Sequence, residues 1–198
     1  NLLEAYENGQ NIEARANMLE AAYRAGIAFT RSYVGYVHGI AHSLGGRYGI
    51  PHGLANAVIL PHMLRAYGPA AERKLAELAR DAGIAPATAN DQTGAQAFIE
   101  WVDDMNARLG IPRHLDGISA ADVPAMAAHA AAESNPLYPV PKLMDAEELA
   151  RMYRVAAGGH FADEPAVHAG EGQRRSTERP SRIARTAERK VAAWSSKK

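Results

Sequence analysis

The chain has 198 residues, with 22 basic and 22 acidic side chains, no cysteine and 47% hydrophobic residues. This composition is typical of a folded globular protein, and the absence of cysteine excludes thiol catalysis, cysteine zinc sites and disulfide frameworks. No apolar run approaches the ~20 residues of a membrane span and no leader is recognisable, so we expect a cytoplasmic protein without a membrane partner.

The first half of the chain has helical patterning. Apolar residues at helical spacing predict a helix over residues 12–34, with Asn11 as its N-cap. The pattern continues over 35–44. The helix should end at Gly45-Gly46, because glycine is common at helix C-termini. We expect a loop at 47–53 and a buried helix at 54–66, kinked at Pro61.

Four more helices are predicted in the second half. One opens at Gly68-Pro69 and closes at Gly83, and the next has Thr93 and Gln96 as a candidate capping box and ends at Gly110. The last two open at Ser119 and Asp145. With almost no alternating pattern, these segments predict an all-α fold of about six or seven helices through residue 157.

The charge is distributed unevenly along the chain. Residues 171–198 contain nine Lys or Arg and three Asp or Glu, whereas residues 1–170 contain 13 and 19. An acidic body is therefore followed by a basic tail, which we place at 158–198 and expect to be mostly disordered. The tail contains no nucleic-acid motif, so we expect no specific nucleic-acid partner.

Four of the eight histidines, at positions 38, 42, 52 and 62, lie within 25 residues. His38 and His42 are four residues apart on one helix face, the spacing of paired metal-binding imidazoles. His52 follows a glycine-rich stretch that can fold back toward that face. Spacing alone leaves open whether this pair binds a metal or is simply solvated or hydrogen-bonded.

The amino-acid sequence of this histidine segment resembles the signature of the iron-containing (group III) alcohol dehydrogenases. The resemblance covers about residues 1–157 and includes the segment 133–141. The segments that carry it are His38-Gly39-Ile40-Ala41-His42-Ser43-Leu44-Gly45, Tyr48-Gly49-Ile50-Pro51-His52-Gly53, Asn56-Ala57 and Leu60-Pro61-His62.

The resemblance implies a fold and a place within it. Members of this family have an N-terminal domain that binds a nicotinamide cofactor and a C-terminal helical domain that supplies part of a metal site. Residues 1–157 are similar to the second part alone, the multi-helix domain of the dehydroquinate synthase-like fold. We therefore treat the chain as a fragment.

The resemblance also implies roles for three histidines. By motif position His38 and His52 are metal ligands, completed in the family by an Asp and a His from upstream. His42 matches a histidine placed near the nicotinamide and involved in proton handling, so it is the candidate catalytic and cofactor-binding residue. The implied cofactors are a divalent metal, Fe²⁺ foremost with Zn²⁺ as an alternative, and NAD or NADP held by the N-terminal domain.

The implied function is hydride transfer between an alcohol or aldehyde and NAD(P), by a longer parent that we expect to be a homo-oligomer. The fragment alone should be inactive because the upstream ligands are missing. Two alternatives remain open. One is a related oxidoreductase, similar to glycerol dehydrogenase or maleylacetate reductase, and the other is a non-catalytic helical remnant.

Overall fold

The structure is a computed structural model that describes residues 1–162. Within that range the chain forms eight α-helices and one short 3₁₀ helix, with no strand, which confirms the all-α prediction and slightly exceeds the expected helix count. The helices are α1 Leu2–Glu7, α2 Ile12–Ser32, α3 Tyr36–Tyr48, α4 His52–Tyr67, α5 Pro69–Asp81, α6 Asp91–Arg108, the 3₁₀ helix Ala120–Asp122, α7 Val123–Ser134 and α8 Ala146–Ala156.

Helix α3 lies at the centre of the packing. It contacts α4 and α7, α7 packs in turn against α8, and α5 and α6 form a closely packed pair that α4 joins to the rest. Tyr36, Ile40 and Leu44 are fully buried on one face of α3. Their spacing of four residues places them in a single stripe, and each buried side chain of this size contributes about 1.5–3 kcal/mol.

Two of the predicted helix starts are confirmed in detail. The side chain of Asn11 accepts a hydrogen bond from the Ala14 backbone N–H at 3.0 Å, as an N-cap does. At α8, Asp145 and Glu148 exchange side-chain and backbone hydrogen bonds in a full capping box.

Other predicted boundaries were wrong. Residues 12–44 do not form one run, because Tyr33 adopts a φ of 60° and separates α2 from α3. Helix α3 continues through Gly45-Gly46 to Tyr48, so the predicted loop at 47–53 shrinks to residues 49–51. The capping box at Thr93 and Gln96 is absent, since the side chain of Asn90 caps α6 by accepting from the Thr93 backbone N–H. Helix α1 was not predicted.

Helix α2 is largely exposed despite its length. Of its 21 residues only Ala14 is buried. Ile12, Leu19 and Tyr23 lie along its apolar stripe with 73%, 74% and 66% of their surface exposed. The stripe that predicted this helix is therefore not packed against the core formed by the described residues.

Residues 158–162 continue from α8 onto the domain. The ring of Phe161 is buried and lies beneath the Arg154 guanidinium, 4.8 Å from its centroid. The Ala162 backbone N–H donates to the Ile118 carbonyl at 2.7 Å. The expected disorder of the tail otherwise concerns residues outside the described range, and the division at residue 157 stays a prediction. No helix in the described range is long and apolar enough to cross a membrane.

The close approach of α5 and α6 depends on Gly94. A Cβ at this position would lie 2.8 Å from the Cβ and 3.0 Å from the Cα of Ala76, and a backbone atom cannot move aside cheaply. We predict that Gly94→Ala lowers the free energy of unfolding by about 1–3 kcal/mol. Gly46→Ala, in an exposed part of α3 with open space around it, should instead raise it by about 0.5–1 kcal/mol. Urea unfolding of both variants would measure the contrast, and equal effects would contradict it.

A buried tyrosine predicts how the domain responds to alkali. Tyr153 is fully buried, hydrogen-bonds with the Ser43 hydroxyl and donates to the Met126 carbonyl at 3.2 Å. Burial, more than any other cause, raises the pKa of Tyr153 from 10.0 to about 12. The folded state therefore keeps its proton where the unfolded state loses it, so stability is full below pH 10 and falls as the pH rises toward 12.

We expect this tyrosine to account for a loss of about 2–3 kcal/mol of unfolding free energy over that interval. In Tyr153→Phe the fall with pH should be shallower, whatever the starting stability. Tyr23→Phe removes a tyrosine that is 66% exposed and should leave the slope unchanged. Urea unfolding from pH 9 to 12 would test this, and parallel curves for Tyr153→Phe and the unaltered chain would contradict it.

Candidate metal centre

The connection between α3 and α4 brings the histidines together. Gly49 ends α3 in the left-handed conformation, with a φ of 67°, and its backbone N–H donates to the Gly45 carbonyl at 3.0 Å. Pro51 then opens α4 in an extended conformation. The glycine-rich stretch does fold back, but the reversal is made at Gly49, because Gly45, Gly46 and Gly53 all lie inside helices.

Three imidazole rings meet beside this turn. The ring centroids of His38 and His52 are 5.2 Å apart, and those of His42 and His52 are also 5.2 Å apart. The His38 and His42 centroids are 5.9 Å apart. The structure thus places all three predicted site residues in one cluster, which we call the histidine cluster.

The surroundings of His38 favour its neutral form. Its pKa is lowered, first by burial and then by the neighbouring His52 and His42, while Glu133 acts weakly in the opposite direction. A metal ligand must be a neutral imidazole with a free lone pair.

His52 is held by a residue to which the sequence assigned no role. The side-chain amide of Asn56 donates to His52 Nε2 at 2.9 Å and to the His52 carbonyl at 2.9 Å. Asn56 lies one turn after His52 on α4, so the i, i+4 spacing was the available signal. Its Oδ1 atom is buried and has no hydrogen-bond partner within the described range. An Nε2 lone pair held in this way is free for a metal only after the amide moves aside.

His42 has a different neighbour. Its Nδ1 atom lies 2.6 Å from Oε1 of Glu133, at the end of α7. On its other side the ring borders an open cavity of about 510 Å³, which Arg47 and His129 also line. His42 therefore contacts both the histidine cluster and a space open to water.

His62, the fourth histidine of the segment, belongs to another part of the surface. Its ring stacks against His114, with centroids 6.1 Å apart, and its Nε2 lies 3.4 Å from the Arg113 carbonyl. Burial is the largest cause of its lowered pKa. The structure thus places His62 outside the histidine cluster.

The ring separations can be compared with those of a ligated site. Two imidazoles on one ion, with metal–nitrogen bonds of ~2.1 Å and angles of roughly 90–110°, have ring centres about 4.6–5.3 Å apart. The pairs His38–His52 and His42–His52, each at 5.2 Å, fall within this range, whereas the helical pair His38–His42 does not. No three His, Asp or Glu side chains among residues 1–162 are arranged to enclose an ion. The described residues therefore fit a partial coordination sphere.

The residues described so far define an all-helical domain with a cluster of three histidines on its surface. The family model for the C-terminal part of the Fe-containing alcohol dehydrogenases matches residues 1–157, and the chain belongs to that family. Membership implies a metal and a nicotinamide cofactor at the level of the family.

Relatives and solved structures agree with this assignment. The chain is 39% identical over 158 residues to a 1,3-propanediol dehydrogenase of Citrobacter freundii, covering 79% of this chain and 41% of that protein. It is 38% identical over 133 residues to alcohol dehydrogenase 4 of Saccharomyces cerevisiae, covering 65% of this chain and 33% of the relative. A crystal structure of 1,3-propanediol oxidoreductase superimposes with a TM-score of 0.73 at 36% identity, covering 79% of this chain and 41% of that one.

The turn at Gly49 yields a prediction about the site's scaffold. Any residue with a Cβ is strained at this φ, so Gly49→Ala should lower the free energy of unfolding by about 1–2 kcal/mol. Gly53→Ala, one residue after His52 in α4, meets open space and should raise it by about 0.5–1 kcal/mol. Thermal or urea unfolding would compare the two, and a neutral Gly49→Ala would show that the turn tolerates another conformation.

Proposed function

We propose that this chain is the C-terminal part of a longer metal-dependent alcohol dehydrogenase. In that protein His38 and His52 are two of the metal ligands. The observation that carries the proposal is the 5.2 Å separation of the His38 and His52 rings. The His42 ring is equally near His52, so His38 is chosen over His42 by its motif position and by the burial that favours its neutral form. The remaining ligands come from the part of the protein that this chain, at 41% of the relatives' length, does not span.

The metal we propose is divalent, Fe²⁺ foremost and Zn²⁺ as the alternative, since neutral imidazole suits both ions. When bound, such an ion polarises the oxygen of an alcohol or aldehyde. The chain's own residues orient the site: Gly49 sets the position of α4, and Asn56 holds the His52 ring through its side-chain amide.

His42 is the residue we propose for proton handling near the nicotinamide. It contacts His38 and His52 on one side and an open cavity on the other, so it can carry a proton between the reacting oxygen and water. NAD or NADP accepts or donates the hydride and is held by the domain that precedes residues 1–157 in the full-length protein. This chain alone is inactive for the same reason.

The substrates we propose are small alcohols or aldehydes. The relatives are named for 1,3-propanediol, for 1-propanol and for lactaldehyde, so the family accepts several. An oxidoreductase similar to glycerol dehydrogenase or maleylacetate reductase is a second candidate. A homo-oligomeric assembly of the full-length protein belongs to the same proposal.

The assignment of His38 and His52 as ligands predicts which substitutions weaken metal binding. The 198-residue chain should bind one Fe²⁺ or Zn²⁺ weakly, and His38→Ala or His52→Ala should each reduce that affinity at least about tenfold. His42→Ala should leave it largely intact, and His62→Ala serves as a matched control outside the histidine cluster. Anaerobic calorimetric titration would measure all five proteins. An affinity loss in His42→Ala equal to that in His38→Ala would make His42 a ligand and overturn the assignment.

Activity is tested in a protein of the relatives' full length. With its upstream domain in place, it should reduce NAD⁺ or NADP⁺ in the presence of an alcohol, while the chain alone should not. Metal binding without any such reduction would favour the non-catalytic remnant.

A further inference from the structure

We infer that Glu133 is a positioning residue that fixes the tautomer of His42. Its carboxylate holds the proton of neutral His42 on Nδ1, which leaves the lone pair on Nε2. The functional meaning of this rests on the proposed role of His42 in proton transfer, whereas the tautomer itself can be measured without it.

The contact is short and is made by the fold. Oε1 of Glu133 lies 2.6 Å from Nδ1 of His42, although the two residues are 91 positions apart in sequence. They meet because α7, which carries Glu133 in its last turn, packs against α3. Only 23% of the Glu133 side chain is exposed, so water competes for this carboxylate less than for a surface glutamate.

A second donor fixes the carboxylate in place. The hydroxyl of Tyr138 donates to the same Oε1 atom at 2.9 Å. Burial, followed by this hydrogen bond, raises the pKa of Tyr138, so the hydroxyl keeps its proton and remains a donor. The other oxygen, Oε2, lies 3.9 Å from Nε2 of His129, whose side chain is 68% exposed. His129 is therefore a loose neighbour, and Tyr138 and His42 determine where the carboxylate points.

The chemistry of the groups determines where the proton sits. An ionised carboxylate only accepts hydrogen bonds, so the nitrogen 2.6 Å from it must carry the proton. The lone pair of neutral His42 is then on Nε2, the only atom of the ring that can take up a proton.

The experiment reads the tautomer directly. In the uniformly ¹⁵N-labelled 198-residue chain at about pH 9, where imidazoles of ordinary pKa are neutral, long-range ¹H–¹⁵N correlation spectra distinguish the two forms. The signals of His42 are those missing from His42→Ala. We expect the Nδ1–H form to dominate, and we expect Glu133→Gln to lower the ratio of Nδ1–H to Nε2–H at least about tenfold.

Three further variants make the result specific. Tyr138→Phe should lower the ratio by a smaller factor, roughly severalfold, because it frees the carboxylate without removing it. His129→Ala and Glu147→Gln, the latter at an exposed carboxylate on α8, should leave it unchanged. Far-ultraviolet circular dichroism confirms that each variant remains helical.

Two results would overturn the inference. One is an Nε2–H tautomer at His42 in the unaltered chain, and the other is an unchanged ratio in Glu133→Gln. The unaltered chain provides the first test even where a variant fails to fold. Neither result bears on metal binding by His38 and His52, so failure of this inference and failure of the proposed function are distinguishable.

Discussion

The division of α3 into two faces is the constraint on which the rest of the structure depends. Tyr36, Ile40 and Leu44 are fully buried on one face and join α3 to the core. Because the helix has 3.6 residues per turn, residues two positions after Tyr36 and Ile40 lie on a different face. His38 and His42 occupy these positions, so packing of the apolar stripe sets where both imidazoles stand.

Much of the fold could be predicted from the sequence, because the signals for it are local. The apolar stripe of α2 with its Asn11 cap, and the capping box of α8, are each complete within a few residues. The end of α3 could not be predicted, because glycines permit a turn without requiring one. Gly45 and Gly46 stay helical and Gly49 adopts the left-handed conformation, although their local sequences look equally suited to ending a helix.

The candidate site shows the same division between local and long-range information. Three histidines could be selected from one segment, because motif spacing and the resemblance both lie within it. The ring separations, 5.9 Å for His38 and His42 and 5.2 Å for His38 and His52, depend on side-chain conformation and on how α4 returns toward α3, which spacing alone does not reveal. The contact of Glu133 with His42 could not be predicted from the sequence. Nothing near Glu133 in sequence points to His42, and the packing of α7 on α3 brings the two together.

The histidine cluster and the hydrophobic core are formed by different side chains. His42 and His52 are exposed and His38 is half-buried, whereas the side chains that hold the helices together are fully buried on other faces. In small zinc domains the metal replaces a missing core, so its removal unfolds the chain. Here about 30 buried apolar residues within positions 1–162 form the core without any contribution from the imidazoles. At the metal site we propose, the groups that would change partners are therefore not the groups that stabilise the fold.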